Sequence, residues 1–187
     1  LQRVLCGAAV DQMTATINSD FHEFEFRGPA QDLLDNGSFI DGEGELTSFP
    51  AEPDSDGFDH AVVPGHLGQV WLGAISERIY TLTSATLTVD NNLESRANEF
   101  GMSGMRAVVP GQRRVTMDFQ VYATDDLQMT ELYTAARQRS PIRVMFQLGQ
   151  QERQLFGIYM KSVIPEVPEF EDAESRLAWR FTGCQAQ

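Results

Sequence analysis

Cysteine is scarce in this chain of 187 residues, which contains only Cys6 and Cys184, near opposite ends. The sequence has no Cys-x-x-Cys pair, and this excludes the usual structural zinc sites. Two cysteines also do not make the disulfide framework of a small secreted domain. We expect two buried free thiols; a bridge between adjacent terminal strands and a reactive thiol are the alternatives.

Cationic residues are few as well. The chain contains 14 Lys and Arg against 27 Asp and Glu, a formal net charge of −13, and Lys161 is its single lysine. This excludes a protein that binds DNA mainly through phosphate contacts, but not one that lies close to DNA without binding it. The imbalance is local, because residues 1–60 contain 13 acidic and 2 basic side chains, a net of −11.

Long hydrophobic runs and targeting segments are missing. No apolar stretch approaches the roughly 18 residues of a membrane span, and residues 1–10 lack the long apolar region of a secretion signal. The chain begins with Leu rather than Met, so we expect a processed or trimmed product. Its apolar share of 42% is typical of a folded protein.

Catalytic and cofactor motifs are absent from the sequence. The run Gly101–Met105 has Met where a nucleophile elbow requires its last Gly, and Gly42-Glu-Gly44 is not followed by a helix pattern. His22, His60 and His66 show no i, i+4 spacing, and we expect His22 on a solvent-facing strand edge. We therefore predict that the protein is not an enzyme, with no catalytic, cofactor-binding or metal-binding residue.

Three charged motifs each allow two interpretations. Asp54-Ser-Asp56-Gly57-Phe-Asp59-His60 places oxygen ligands around a glycine, as calcium prefers, but lacks further ligands of an EF-hand loop. A solvated acidic loop is the favoured interpretation and calcium the alternative. Glu23 and Glu25 share one strand face, which suits an exposed side better than acid–base catalysis. We expect Arg113-Arg114 to form a salt-bridging strand edge rather than an anion site.

The pattern that dominates the sequence is period-two alternation of apolar residues, which indicates half-buried strands. The clearest predicted strands are 115–123, 142–148, 154–163 and 177–181. A hairpin through 149–152 joins the second of these strands to the third. Leu177, Trp179 and Phe181 are predicted to face the core.

Two further strand patterns lie nearer the N-terminus. Residues 13–17 and 24–26 are predicted to form a hairpin through Asn18-Ser19-Asp20. A Thr-rich strand over about 78–89 changes its apolar phase, which predicts a bulge near Ser84.

One helix is predicted over 125–139. Met129, Leu132, Tyr133 and Ala136 have the spacing of a single helical face. Asp125 and Gln128 predict a start like a capping box, and Ser140-Pro141 ends the helix.

Two segments, 36–70 and 91–112, have the composition of long loops.

The sequence also contains a weak internal repeat, first over 13–33 and again over 85–125. In both copies a strand, a connection and a second strand are followed by an acidic residue and a helix-like segment. If this repeat is real, the chain begins partway through a first copy and contains a complete second one.

The order of elements from Tyr80 to Gln150 carries a family resemblance. The run Leu82-Thr-Ser-Ala-Thr-Leu-Thr-Val-Asp-Asn-Asn-Leu-Glu-Ser-Arg96 precedes Pro110-Gly-Gln-Arg-Arg-Val-Thr-Met-Asp-Phe119, and the helix and Ala136-Arg-Gln-Arg-Ser-Pro-Ile142 follow. This order resembles the tail-tube (major tail) proteins of long-tailed bacteriophages. The resemblance covers about residues 75–185, with a weaker echo over 8–35.

The resemblance implies a mainly β (α+β) fold, an antiparallel β-sandwich or barrel with one flanking helix. Residues 1–70 would hold the N-terminal hairpin and a long acidic loop, the end of a first half-repeat if the chain is duplicated. Residues 71–187 would form the tail-tube-like sandwich with helix 125–139.

The resemblance further implies a virion protein without a cofactor that self-assembles in the host cytoplasm and binds other tail proteins. Copies would form rings, hexameric, or trimeric if duplicated, that stack into a tube through which DNA passes without specific binding. Part of the acidic segment 1–60 would face the lumen or its mouth and repel phosphate.

The alternative is a soluble or secreted β-sandwich module that binds carbohydrate or calcium. Such a module would need an exposed aromatic platform, for which Trp71, Trp179 and Tyr159 are the candidates.

Overall fold

A computed structural model of the protein describes residues 1–54, 62–73, 78–97, 99–101, 104–152, 154–171 and 176–186. Antiparallel strands dominate these residues, and they include one α-helix, so the predicted mainly β fold with a flanking helix is confirmed. The elements are β1 (Arg3–Cys6), β2 (Gln12–Ile17), β3 (Glu23–Arg27), β4 (Asp32–Asp35), β5 (Gln69–Gly73), β6 (Arg78–Ile79), β7 (Leu82–Asp90), β8 (Glu94–Arg96), β9 (Ala107–Val109), β10 (Arg114–Tyr122), α1 (Leu127–Gln138), β11 (Ile142–Gln151), β12 (Gln154–Ile164), β13 (Glu169–Glu171) and β14 (Ala178–Ala186).

The chain divides into two compact units that interleave in sequence. The first comprises the described residues of 1–13, 26–60 and 90–113, and the second those of 14–25, 61–89 and 114–187. The predicted sequential division at residue 70 stays a prediction.

Two small antiparallel pairs build the first unit. Strands β1 and β4 pair so that Leu5 lies opposite Leu33. A 3-10 turn over Glu43–Glu45 approaches this pair closely at Gly44, where a Cβ atom would lie 2.7 Å from Cys6 Sγ and where φ is +57°. Only glycine tolerates both the short distance and the left-handed backbone, so Gly44 lets the turn contact the β1–β4 pair.

Strands β8 and β9 form the second pair, within the segment predicted to be a loop over 91–112. Asp11 anchors the base of this hairpin, because its Oδ1 accepts the Leu93 N–H at 2.7 Å and its backbone oxygen accepts the Asn91 N–H at 2.7 Å. Glu99 pairs with Arg96 and with Arg106, the latter at 3.2 Å. The loop prediction was wrong here because hydrogen bonds and ion pairs between strands, rather than apolar alternation, hold the hairpin.

A large sheet with the strand order β3-β2-β7-β10-β14-β12-β11-β5-β6, to which β13 pairs along β14, forms most of the second unit. Both predicted hairpins, β2–β3 and β11–β12, are present, and β11 and β12 are longer than expected. Phe24 of the terminal strand β3 packs edge-on against Phe156 of β12, with ring centroids 5.3 Å apart. Since these two strands are not neighbours in the sheet, the sheet curls over its core into a sandwich-like arrangement.

The core lies on the inner face of this curled sheet, where the predicted apolar positions of β10 and β11 are buried. Stacked rings of Phe119 and Phe181, 4.5 Å apart, lie within it. Trp179 also packs against the core, as predicted, whereas Leu177 lies outside β14 and is exposed.

A bulge in β14 places Cys184 in the core. Met117 pairs with Cys184 and Phe119 pairs with Phe181, so two residues of β14, Thr182 and Gly183, lie opposite Asp118 alone. Gly183 adopts φ +67°, and its N–H donates to Asp118 Oδ1 at 2.6 Å. The extra residue reverses the side-chain alternation, and Cys184 is therefore fully buried.

The N-cap of helix α1 lies one residue later in the sequence than predicted. Asp126, rather than Asp125, is the N-cap, and its Oδ1 accepts the Met129 N–H at 2.8 Å. Met129, Leu132 and Ala136 are buried, as predicted for one helical face. At the C-terminal end Arg139 has φ +50°, and the Ser140 N–H donates to the Ala135 oxygen at 2.9 Å.

Two other sequence expectations are corrected. The strand predicted over about 78–89 is divided into β6 and β7 at Tyr80 and Thr81, and the bulge near Ser84 stays a prediction. The segment expected to be helix-like after Ala30 is strand β4, so the proposed internal repeat lacks its helical element in the first copy.

Candidate assembly surface

Strand β3 lies at one edge of the large sheet and presents exposed apolar side chains. All five of its residues are exposed, with Phe24 and Phe26 on one side and Glu23 and Glu25 on the other. It occupies one end of the large sheet, where only β2 pairs with it among the described strands. Exposed edges of this kind pair readily with another chain. The position of Glu23 and Glu25 agrees with the exposed strand side expected from the sequence.

The outward side of β5, β11 and β12 forms a second exposed surface, which we call the outer face. In register, Met145 lies between Trp71 on β5 and Tyr159 on β12, and these three side chains point away from the core. Arg143 and Lys161 are exposed beside this apolar row. The complete outer face consists of Gln69, Trp71, Gly73, Arg143, Met145, Gln147, Leu155, Gly157, Tyr159 and Lys161.

From the sequence, Trp71 and Tyr159 were only separate candidates for the exposed aromatic platform that a ligand-binding module would need. Their alternation with buried neighbours was visible, but strand register decides that Met145 joins them into one row. Trp179 does not belong to this surface, because it packs against Tyr133 of α1 and Phe170 of β13 at 5.2 and 6.2 Å between ring centroids.

The second unit contains a cavity of about 380 Å³ whose described lining includes His22, His66 and Arg78 and no acidic side chain. Arg78 Nη2 donates to the Gly68 oxygen at 3.3 Å, and its guanidinium stacks on the Tyr80 ring at 4.7 Å. Both ring nitrogens of His22 are buried without a hydrogen-bond partner, and burial lowers the pKa of this imidazole. The expectation that His22 lies on a solvent-facing edge was therefore wrong, because contacts from a distant part of the chain cover it.

Acidic side chains concentrate in the first unit. Its three segments contain 13 acidic and 5 basic residues, a net of −8. Asp35 pairs with Arg3 at 3.4 Å, and Glu43 accepts the Ile40 N–H at 3.1 Å. Other acids of the acidic segment 1–60 are exposed: Asp32, Asp41, Glu45 and Glu52.

The remaining candidates from the sequence are the two cysteines and the pair Arg113-Arg114. Both cysteines are free thiols, as expected, but only Cys184 of the second unit is buried, whereas Cys6 of the first unit is half-buried. Burial raises the pKa of the Cys184 thiol to about 11, which makes it unreactive at neutral pH. Arg113 donates to Asn91 Oδ1 at 2.8 Å rather than to the carboxylate we expected.

The calcium candidate falls mostly outside the part of the chain that the structure describes. Of Asp54–His60 only Asp54 is described, so neither interpretation of this loop is tested. Residues 102 and 103 of the Gly101–Met105 run also lie outside the described residues. Among the residues that are described, no group of three or more His, Cys, Asp or Glu could hold a metal ion.

An exposed edge strand and a partly apolar outer face are features of proteins that associate with other chains through strands and sheet faces. A family model of phage tail tube proteins matches residues 8–175. The chain therefore belongs to the phage tail tube protein family, and it is a structural component of the phage tail. The match covers residues 75–175 of the region of resemblance and the whole of the weaker echo over 8–35.

No curated protein matches the chain significantly. No helix in the described ranges is long and apolar enough to cross a membrane.

Proposed function

We propose that copies of this protein assemble into rings, that the rings stack into the tail tube, and that DNA passes through the lumen during ejection. Family membership supports self-assembly with other tail proteins. The observation that carries the ring is the exposed edge strand β3, since closing a ring pairs such edges and removes them. Assembly would take place in the host cytoplasm, before the tail joins the virion.

The ring is proposed to be hexameric. A trimer would require a duplicated chain, and the segment that should repeat the helix is strand β4. Negative-stain electron microscopy of the concentrated protein tests the assembly. We expect rings or tubes on the order of 100 Å across. A protein that stays monomeric at every concentration and gains stability from glycans or calcium would contradict the proposal.

The acidic surface is proposed to line the lumen or its mouth. Carboxylates repel phosphate, so DNA slides past them instead of adhering. Asp41, Glu45 and Glu52 are suitable test positions because all three are exposed within the acidic segment 1–60.

Virions carrying Asp41→Lys, Glu45→Lys and Glu52→Lys together should assemble normally and eject DNA more slowly, as measured by dye uptake of released DNA. The matched control changes three exposed acids of the second unit, Glu131, Glu152 and Glu169, to Lys. The control should eject at the wild-type rate. Equal rates in all three virions would assign the acidic charge to solubility alone.

A further inference from the structure

The cavity of about 380 Å³ in the second unit has a backbone wall that the fold holds in place. The 3-10 turn Gly65–Leu67 packs directly on the turn between β2 and β3, because a Cβ atom on Gly65 would lie 2.1 Å from the Asn18 oxygen. The Gly65 N–H donates to the Asp20 oxygen at 2.7 Å, and Asn18 Oδ1 accepts the Asp20 and Phe21 N–H groups at 2.9 and 3.0 Å. A wall that is already formed lowers the cost of binding a ligand.

Two basic side chains of this cavity lie beside the same residue, Gly68. Arg78 Nη2 donates to the Gly68 oxygen at 3.3 Å, and His22 Nε2 lies 3.6 Å from the position that a Cβ atom of Gly68 would take. Arg78 Nε and both ring nitrogens of His22 are buried and have no hydrogen-bond partner among the described residues. A buried donor without an acceptor destabilises a protein, so a group that accepts hydrogen bonds from these nitrogens would stabilise this one.

The charge of the cavity is opposite to that of the whole chain. Its described lining contains Arg78, His22 and His66 and no carboxylate, although the chain has a formal net charge of −13. Arg78 has no ion-pair partner among the described residues, and arginine stays charged in proteins. Its guanidinium lies 4.7 Å from the centre of the Tyr80 ring, a contact that fixes the position of the charge. The ligand that suits this lining is therefore an anion.

Apolar side chains form another part of the lining. Val70, Phe146 and Leu148 are buried core residues that border the cavity. They cannot satisfy the many acceptor oxygens of a phosphate, so they favour an anion with an apolar body. The volume lies within the range of about 300–1,000 Å³ that is usual for small-molecule sites. The planar fork of an arginine matches the two oxygens of a carboxylate.

We propose that this cavity binds a small organic carboxylate. The carboxylate accepts hydrogen bonds from Arg78 and His22, and the apolar part of the ligand packs on Val70, Phe146 and Leu148. This binding role goes beyond assembly of the tail tube and does not depend on it.

Calorimetric titration of the full chain with benzoate tests the site. Benzoate should bind with a roughly millimolar dissociation constant, as expected for an efficient ligand of its size. Benzamide, an uncharged molecule of the same shape, should bind about 10-fold more weakly, because the hydrogen bonds to a charged acceptor are lost. Arg78→Gln should weaken benzoate binding by about the same factor. The matched control, Arg143→Gln, removes an exposed arginine of the outer face and should bind benzoate like wild type.

The imidazole of His22 gives a second readout, which a purely structural role of Arg78 would not change. Burial lowers the pKa of His22 in the free protein, and a bound carboxylate should raise this pKa because negative charge favours the imidazolium form. The other titratable or charged side chains of the described lining, His66, Arg78, Tyr80 and Tyr122, carry no negative charge near neutral pH. An NMR pH titration with and without benzoate measures the rise, and the variant His22→Gln assigns the resonance.

Four results with wild-type protein would overturn the inference: no binding of benzoate, equal affinity for benzamide, tighter binding of inorganic phosphate than of benzoate, or a His22 pKa that saturating benzoate leaves unchanged. These measurements remain decisive even if Arg78→Gln fails to fold. An Arg78→Gln variant that is folded by circular dichroism and binds benzoate like wild type would overturn the inference as well. Rings of the wild-type protein would support the proposed tube in every one of these cases.

Discussion

The bulge at Gly183 is the point at which a single backbone conformation sets the register of a central strand. Strand β14 pairs with β10 on both sides of the bulge, and beyond it Gln185 and Ala186 pair with Ile164 and Val163 of β12. Gly183 has φ +67°, and a Cβ atom there would meet nothing within 4 Å. The cost of Gly183→Ala is therefore conformational, without a steric contribution from neighbouring residues.

The magnitude follows from two opposing effects. A non-glycine residue with left-handed backbone costs about 1–2 kcal/mol, and removing a glycine stabilises by about 0.4–1 kcal/mol through the unfolded chain. Gly157→Ala is the matched control, because Gly157 also lies in a strand, has no left-handed φ and would bring its Cβ only within 3.9 Å of the Phe146 oxygen. Both variants share the unfolded-state effect, so Gly183→Ala should be less stable than Gly157→Ala by about 1–2 kcal/mol.

Urea unfolding followed by tryptophan fluorescence measures this difference, since Trp179 lies on the same strand. The free energy of unfolding of Gly183→Asn should lie between those of wild type and Gly183→Ala, because Asn tolerates the left-handed backbone region better than Ala. Equal stability of Gly183→Ala and Gly157→Ala would refute the reasoning. A shift of register instead of strain would expose Cys184, and a thiol reagent would then label it in the native state.

The helix cap and the two thiols give further expectations. Asp126→Ala should lower the free energy of unfolding by about 1 kcal/mol in urea unfolding. Asp125→Ala, at the cap position that the sequence suggested, should leave this free energy almost unchanged. Hydrogen bonds from Thr124 and from the Met129 N–H lower the pKa of Asp126. The stabilising effect of Asp126 should thus be complete above its ordinary value of 3.8 and be lost as the pH falls through the lowered pKa. An aromatic disulfide reagent at neutral pH should label half-buried Cys6 and leave Cys184 unlabelled until the protein unfolds.

Each of these expectations has a clear contrary result. Asp125→Ala more destabilising than Asp126→Ala would place the cap one residue earlier. A stability advantage of wild type over Asp126→Ala that does not decrease as the pH falls below the ordinary carboxyl value would mean that the carboxylate is not its source. Native-state labelling of a Cys6→Ser variant would show that Cys184 is accessible.

The apolar pattern of the sequence determined the class of the fold. Alternation alone predicted the buried faces of β10 and β11, and the 3.6-residue period predicted the buried face of α1. These predictions succeeded because each depends on local geometry: side chains alternate along a strand and recur on one face of a helix. The order of these elements also carried the family resemblance that the match over residues 8–175 confirmed.

Tertiary structure decided what depends on residues distant in sequence. Hydrogen bonds to Asp11, not apolar alternation, order the β8–β9 hairpin that composition had suggested to be a loop. The ring nitrogens of His22 are buried, and Gly68, more than forty residues further along the chain, lies beside this ring. The row of Trp71, Met145 and Tyr159 exists only because strand register aligns three separate segments.

The acidic charge shows both contributions together. The sequence alone showed the excess of carboxylates in residues 1–60 and excluded a phosphate-binding protein. The structure gathered much of that charge into one unit and left Arg143 and Lys161 on a face without acids. Composition determines how much charge a protein carries, but only folding brings distant residues together and so decides which surfaces present that charge.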